Sequence, residues 1–122
     1  MQINSSNKNS NFSFQAKVSP DFINAAKNYY TKTNSYLQCD AKINKFMHKV
    51  GEYDKFGKDD VTVIYQKVHL NGQTQHALYA VKEGMQPGDY VVLTVKDQFR
   101  KVLEKFQRIN KYEFDVKTKD VK

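Results

Sequence analysis

A chain of 122 residues with 39% hydrophobic and 27% charged side chains is enough for one domain and too short for two. Five glycines, two prolines and one cysteine exclude collagen-like and low-complexity classes, a disulfide framework and a multi-thiolate metal site, and no apolar run approaches the ~20 residues that cross a bilayer. Lys plus Arg is 20 against 13 Asp plus Glu, and the formal charge of +7 points to anionic partners, an acidic protein or nucleic acid.

Residues 1–11 are rich in Asn and Ser and cannot bury apolar area, which predicts a disordered tail. No charged segment leads into an apolar one, so no secretory signal is expected and the default address is the cytoplasm. Asn/Ser-rich starts also resemble the export signals of some injected bacterial effectors, a resemblance of composition alone. The alternation of Phe12, Phe14, Ala16 and Val18 with Ser13, Gln15 and Lys17 predicts a half-buried strand. Ser19, Pro20 and Asp21 supply the N-cap, first position and first-turn acid of a helix, with Phe22, Ala26, Tyr29 and Tyr30 on one face.

Phe22, Tyr29, Tyr36, Ile43 and Val50 keep a seven-residue phase, yet one helix over residues 20–50 would be ~46 Å long, too long for a domain this small. Thr31–Asn34 are poor helix formers, and Ser35-x-x-Gln38 has the form of a capping box. Two helices are therefore expected, the second turning Tyr36, Cys39, Ile43, Phe46 and Val50 inward and stopping at Gly51.

Residues 52–60 read as a polar connection. Val61–Leu70 and Gln73–Glu83 flank Asn71-Gly72, a strong two-residue hairpin signal, and Pro87-Gly88-Asp89 turns the chain into a strand over Tyr90–Val95. Thr94-x-x-Asp97 is a candidate cap for a helix with Val95, Phe99, Val102, Leu103, Phe106 and Ile109 on its apolar face. Asn110 is expected to end it in the left-handed conformation, and Tyr112, Phe114 and Val116 alternate as a last strand. The order β-α-α-β-β-β-α-β predicts the α+β class. An antiparallel sheet of about five strands would be covered by helices in a two-layer sandwich over residues 12–118, with 119–122 frayed. Residues 35–110 share the element order of double-stranded-RNA-binding domains but lack the basic, alanine-rich start of their last helix, so no family is assigned.

Cys39 falls on an apolar seam and reads as a buried, inert thiol rather than a nucleophile. In a hairpin closed by Asn71-Gly72, His69 faces Thr74 and Lys67 faces His76, which makes His69 and His76 diagonal neighbours on one face. These two imidazoles are the metal-ligand candidates. No Asp, Glu or Cys lies within two residues of either, and Lys67 repels a cation, so neither a metal nor another cofactor is expected. His48 lies on a polar helix face. Gly51 and Gly57-Lys58 lack the spacing and element order of a phosphate loop, and Asp54, Asp59 and Asp60 lack those of a calcium loop.

The best basic surface is on the helix after residue 95. Lys101, Lys105 and Arg108 lie opposite its apolar stripe, Arg100 at the edge, and Lys96 and Lys111 at either end; these six are the candidate binding residues. Elsewhere charge is dispersed, and Arg100-Lys101 is the only adjacent basic pair. Taken together, these features predict a small non-catalytic binding or adaptor module for a protein or other anionic partner. Nucleic-acid binding through the basic face of that helix is the alternative, and an enzyme whose site is assembled in space is the second.

Overall fold

Ala16 begins the described part of the chain; the computed structural model describes residues 16–57 and 60–119. Strand β1 (Ala16–Val18) is followed by α1 (Pro20–Thr33) and α2 (Tyr36–Tyr53), then by the hairpin β2 (Val61–Leu70) and β3 (Gln73–Val81). A short turn of 3-10 helix at Pro87–Asp89 enters β4 (Val91–Lys96), and the chain closes with α3 (Phe99–Arg108) and α4 (Lys111–Thr118). The protein is α+β, with no helix among the described residues long and apolar enough to cross a membrane. The sequence expectations for residues 1–15 and 120–122 lie outside the described residues.

The start of α1 follows its sequence signal. Ser19 is the N-cap, and its Oγ accepts from the Phe22 N–H at 3.3 Å. The break between α1 and α2 occurs within residues 31–35 as expected: Asn34 is extended, and both its backbone N–H and its side-chain amide donate to the Tyr30 carbonyl at 3.1 Å. Asn71 (φ 53°) and Gly72 (φ 77°) are both left-handed, which a two-residue turn matched to strand twist requires. The hairpin register is the one anticipated, with Leu70 opposite Gln73, His69 opposite Thr74 and Lys67 opposite His76.

Among the described residues the sheet has four strands in the order β1-β2-β3-β4 and is mixed, where about five antiparallel strands are expected. β1 runs parallel to β2, with Ala16 opposite Val61, because the α1–α2 crossover returns the chain to the end from which it left. The fifth strand is a helix. Asn110 is extended (φ −107°), not left-handed, and its Oδ1 accepts from the Glu113 N–H at 2.8 Å, so it starts α4 rather than ending α3. The two-residue alternation misled because only Phe114 is buried, while Tyr112 is 79% exposed; the true inward pair is Phe114 and Thr118, one helical turn apart.

Further boundaries move, and β4 runs Val91–Lys96 rather than Tyr90–Val95. α3 begins at Phe99 with Gln98 as its N-cap; Thr94 is buried in β4, Val95 lies on that strand, and Asp97 pairs with Lys101 instead of capping. α2 continues through Gly51 to Tyr53, since burying Tyr53 outweighs the ~1 kcal/mol that glycine costs a helix. Ser35 is the N-cap of α2 but its side chain makes no capping hydrogen bond. Strand β3 ends at Val81, two residues before Glu83.

Helices cover one face of the sheet. Val61, Val63, Leu78, Ala80 and Leu93 join Phe22, Phe46, Phe106 and Phe114 in a single core. Alternation along the strands puts Ile64, Val68, Tyr79, Val92 and Val95 on the opposite face. A bulge in β4 leaves Leu93 without a partner between Thr94, opposite Leu78, and Val92, opposite Tyr79. It turns Leu93 and Thr94 both inward and leaves Val92 and Val95 exposed. Within the core, Phe22 meets Phe106 at 5.2 Å and Phe46 at 5.5 Å edge-on, and Tyr53 stacks on Phe106 at 4.6 Å. Replacing Phe106 with Ala should cost about 3–5 kcal/mol, a large share of the ~5–15 kcal/mol available to a domain. Urea unfolding should show the drop as a lower midpoint, and a loss under 1 kcal/mol would mean that the ring is not central to the core.

Candidate functional site

The apolar stripe of α3 fixes what its other side can do. Phe99, Val102, Leu103 and Phe106 point into the core, so Arg100, Lys101, Lys105 and Arg108 are driven to solvent. Together with Lys96 at the end of β4 and Glu104 they line a shallow cleft of about 270 Å³. Five of the six predicted binding residues therefore share one cleft. Lys111 does not join them: it stands in the first turn of α4 and pairs with Asp115 at 3.0 Å.

Intramolecular carboxylates hold part of this charge. Arg100 donates to Glu104 at 2.8 Å, Lys101 to Asp97 at 3.0 Å, and Lys105 to Glu113. The Lys101 ammonium, by hydrogen bond and by charge, holds the Asp97 carboxyl below its ordinary range. Lys96 and Arg108 have no ion-pair partner among the described residues. The Arg100–Glu104 and Lys101–Asp97 pairs are exposed and worth about 0–1 kcal/mol, so an incoming anion competes with them on nearly even terms.

Two adjoining clefts extend this surface. One, of about 360 Å³, lies where α1, α2 and α3 meet and is lined by Tyr29, Tyr30, Lys42, Lys45, Arg100, Glu104 and Gln107 among others. Its floor is ordered by a hydrogen bond of 2.8 Å from the Gln107 amide to the Tyr30 hydroxyl, and burial pushes the Tyr30 phenol pKa up, which keeps it neutral. The other, of about 260 Å³, is lined by Tyr29, Lys32, Tyr65, Lys67, His76 and Phe99 together with Ala25 and Asn28. Tyr29 lines both, while Arg100 and Glu104 line both the first of them and the α3 cleft. Around the joined clefts stand Lys32, Lys42, Lys45, Lys67, Lys96, Arg100, Lys101, Lys105 and Arg108, with Glu104 the carboxylate among the lining side chains.

Lys32, Lys42, Lys45 and Lys67 were missed in the sequence, where they are scattered over three elements with no run to mark them. Tyr29 was assigned to a core face; it is half-buried and looks into the clefts. A signal was present in Lys42 and Lys45, three apart on α2, and in the position of Lys67 opposite His76.

The two candidate ligand histidines do share a face, but each has a local partner. His76 Nδ1 is 2.6 Å from the Tyr65 hydroxyl, and His69 Nδ1 is 3.2 Å from Thr74 Oγ1. Among the described residues no group of three His, Cys, Asp or Glu is arranged to hold a metal. His48 is exposed beside Glu52 at 3.7 Å. Cys39 is half-buried rather than enclosed, with its Sγ 3.7 Å from Thr31 Oγ1, because the first turn of α2 stands clear of the core and leaves Tyr36 81% exposed. Comparison with known protein families, curated proteins and solved structures finds no match to the chain.

Burial, then the charge of Lys67, lower the His76 pKa, against a smaller opposing pull from Asp97. Unfolded, the imidazole titrates near about 6.5. Between that pH and the lower folded value the unfolded chain binds more protons, so this group's contribution to stability is full above about pH 6.5 and falls as the solution is acidified. The loss in urea midpoint on going from pH 7 to pH 5 should therefore be smaller in His76→Gln than in the unsubstituted protein. An equal loss in both would show that His76 is not the group titrating.

Proposed function

We propose that this chain is a small non-catalytic binding module that engages an anionic partner through the basic surface where α1, α2 and α3 meet β2 and β3. The observation that carries the reading is convergence. Lysines and arginines from α1, α2, β2, β4 and α3, dispersed in sequence, line adjoining clefts with one carboxylate among them. A merely solubilising charge has no reason to gather round concave surface, whereas focusing of field in a cleft raises local anion concentration. No catalytic role is assigned to the histidines: His76 is hydrogen-bonded to Tyr65, the exposed His69 to Thr74, and the exposed His48 lies beside Glu52.

Net charge alone makes any basic protein stick to a polyanion, so the test must hold it constant. One variant replaces Lys32, Lys42, Lys45 and Lys96 with Gln; a control replaces Lys17, Lys55, Lys117 and Lys119, which line none of these clefts. Both lose four charges, and neither should change stability by more than ~0.5 kcal/mol per site. On immobilised heparin the cleft variant should elute at clearly lower salt than the control. Elution of both at the same salt would leave the +7 as undirected surface charge and end the reading.

A further inference from the structure

We infer that the anionic partner is single-stranded nucleic acid, with one base seated against the aromatic wall of the α1–β2–β3 cleft and the backbone passing Lys32 and Lys67; the inference rests on the anion-binding reading above. Four half-buried rings meet in this cleft: Tyr29 from α1, Tyr65 from β2, His76 from β3 and Phe99 from α3. Tyr65 and His76 are parallel within 8° and joined by their hydrogen bond. Phe99 stands edge-on to both, at 5.0 and 5.9 Å, and meets Tyr29 at 5.5 Å. Aromatic side chains elsewhere in the core close on one another; these leave a hollow with two amines at its rim.

The size of the hollow narrows the ligand. At about 260 Å³ it lies below the ~300–1,000 Å³ of pockets that enclose a small molecule. It suits one flat group of a longer polymer, the rest remaining outside. A carboxylate side chain of an acidic protein has no π face to set against the rings, nor has a sulfated sugar, and a duplex keeps its base faces stacked on one another. Each base of a single strand offers such a face, with phosphates on either side for the lysines. Arg100, Lys42 and Lys45 border the neighbouring cleft, so a strand leaving this one meets further cations.

Labelled oligo(dT), oligo(U) and a duplex of equal length, compared by fluorescence anisotropy at several salt concentrations, test the inference. At least one single strand should bind more tightly than the duplex. Tyr29→Leu should weaken that binding by about tenfold or more, and Tyr29→Phe should restore it. Lys32→Gln with Lys67→Gln, at the exposed rim, should flatten the log–log salt slope by about 0.7 for each phosphate no longer neutralised. Should Tyr29→Leu fail to fold, the ring resonances of His76 in the unsubstituted protein report on the same cleft: they should shift more on adding oligo(dT) than on adding the duplex, and equal shifts overturn the inference. Equal affinity for duplex and single strands, or a Tyr29→Leu protein that binds as before, overturns the inference. A positive heparin comparison beside that failure leaves the anion-binding surface standing with a partner other than single-stranded nucleic acid, whereas failure of both removes the surface itself.

Discussion

One phenylalanine ties four elements together. Phe22, in the first turn of α1, is fully buried and meets Phe46 of α2, Phe106 and Phe99 of α3 and Tyr65 of β2, all within 6.2 Å between ring centres. Edge-on ring pairs add roughly 0.5–1.5 kcal/mol each beyond the area they bury, and their angular preference also sets how the helices lie on the sheet. Two of these rings, Tyr65 and Phe99, are walls of the aromatic cleft. The core and the cleft are thus successive layers of one aromatic cluster. A site held by packed side chains on helices and strands keeps its shape better than one carried on loops.

Lysine plays two opposite parts in the molecule. Lys49 is largely withdrawn from water: its ammonium donates to the Ile109 carbonyl at 2.7 Å and lies over the rings of Tyr53 and Phe56 at 5.8 and 5.3 Å. It joins α2 to the residue that ends α3, and its charge is used up inside the fold. The cations of the clefts are of the other kind. Arg100 and Lys101 pair with exposed carboxylates four residues away, arrangements that salt screens within ~8–10 Å, and Lys105 reaches the part-buried Glu113 of α4. Fixed cations build the scaffold, and loosely held ones are left for a ligand.

Where the sequence was legible, a local chemical rule decided the outcome. The Ser19-Pro20-Asp21 start, the break before Ser35 and the Asn71-Gly72 register all follow from one or two residues and their backbone preferences. It was misread where two periods fit the same short segment. Tyr112, Phe114 and Val116 alternate as a strand would, yet Asn110 and Glu113 form a helix start that the alternation concealed. The bulge in β4 is invisible for a related reason: turning Leu93 and Thr94 inward together requires a partner strand, and no local propensity encodes it. On the binding surface, the basic face of α3 could be read from helical periodicity alone. Lys32, Lys42, Lys45 and Lys67 could not, because their proximity arises from the packing of α1 against α2 and β2, a tertiary fact.

The same bulge bears on how copies of this chain meet one another. A regular outer strand presents a row of unpaired amides and carbonyls, a template on which another sheet can grow. Here β4 is six residues long and interrupted midway by Leu93. The β4 margin therefore offers no long uninterrupted ladder. Growth of the sheet from molecule to molecule is thereby discouraged along β4, even though the face bearing Val92 and Val95 is apolar. Encounters with other molecules are steered away from that margin.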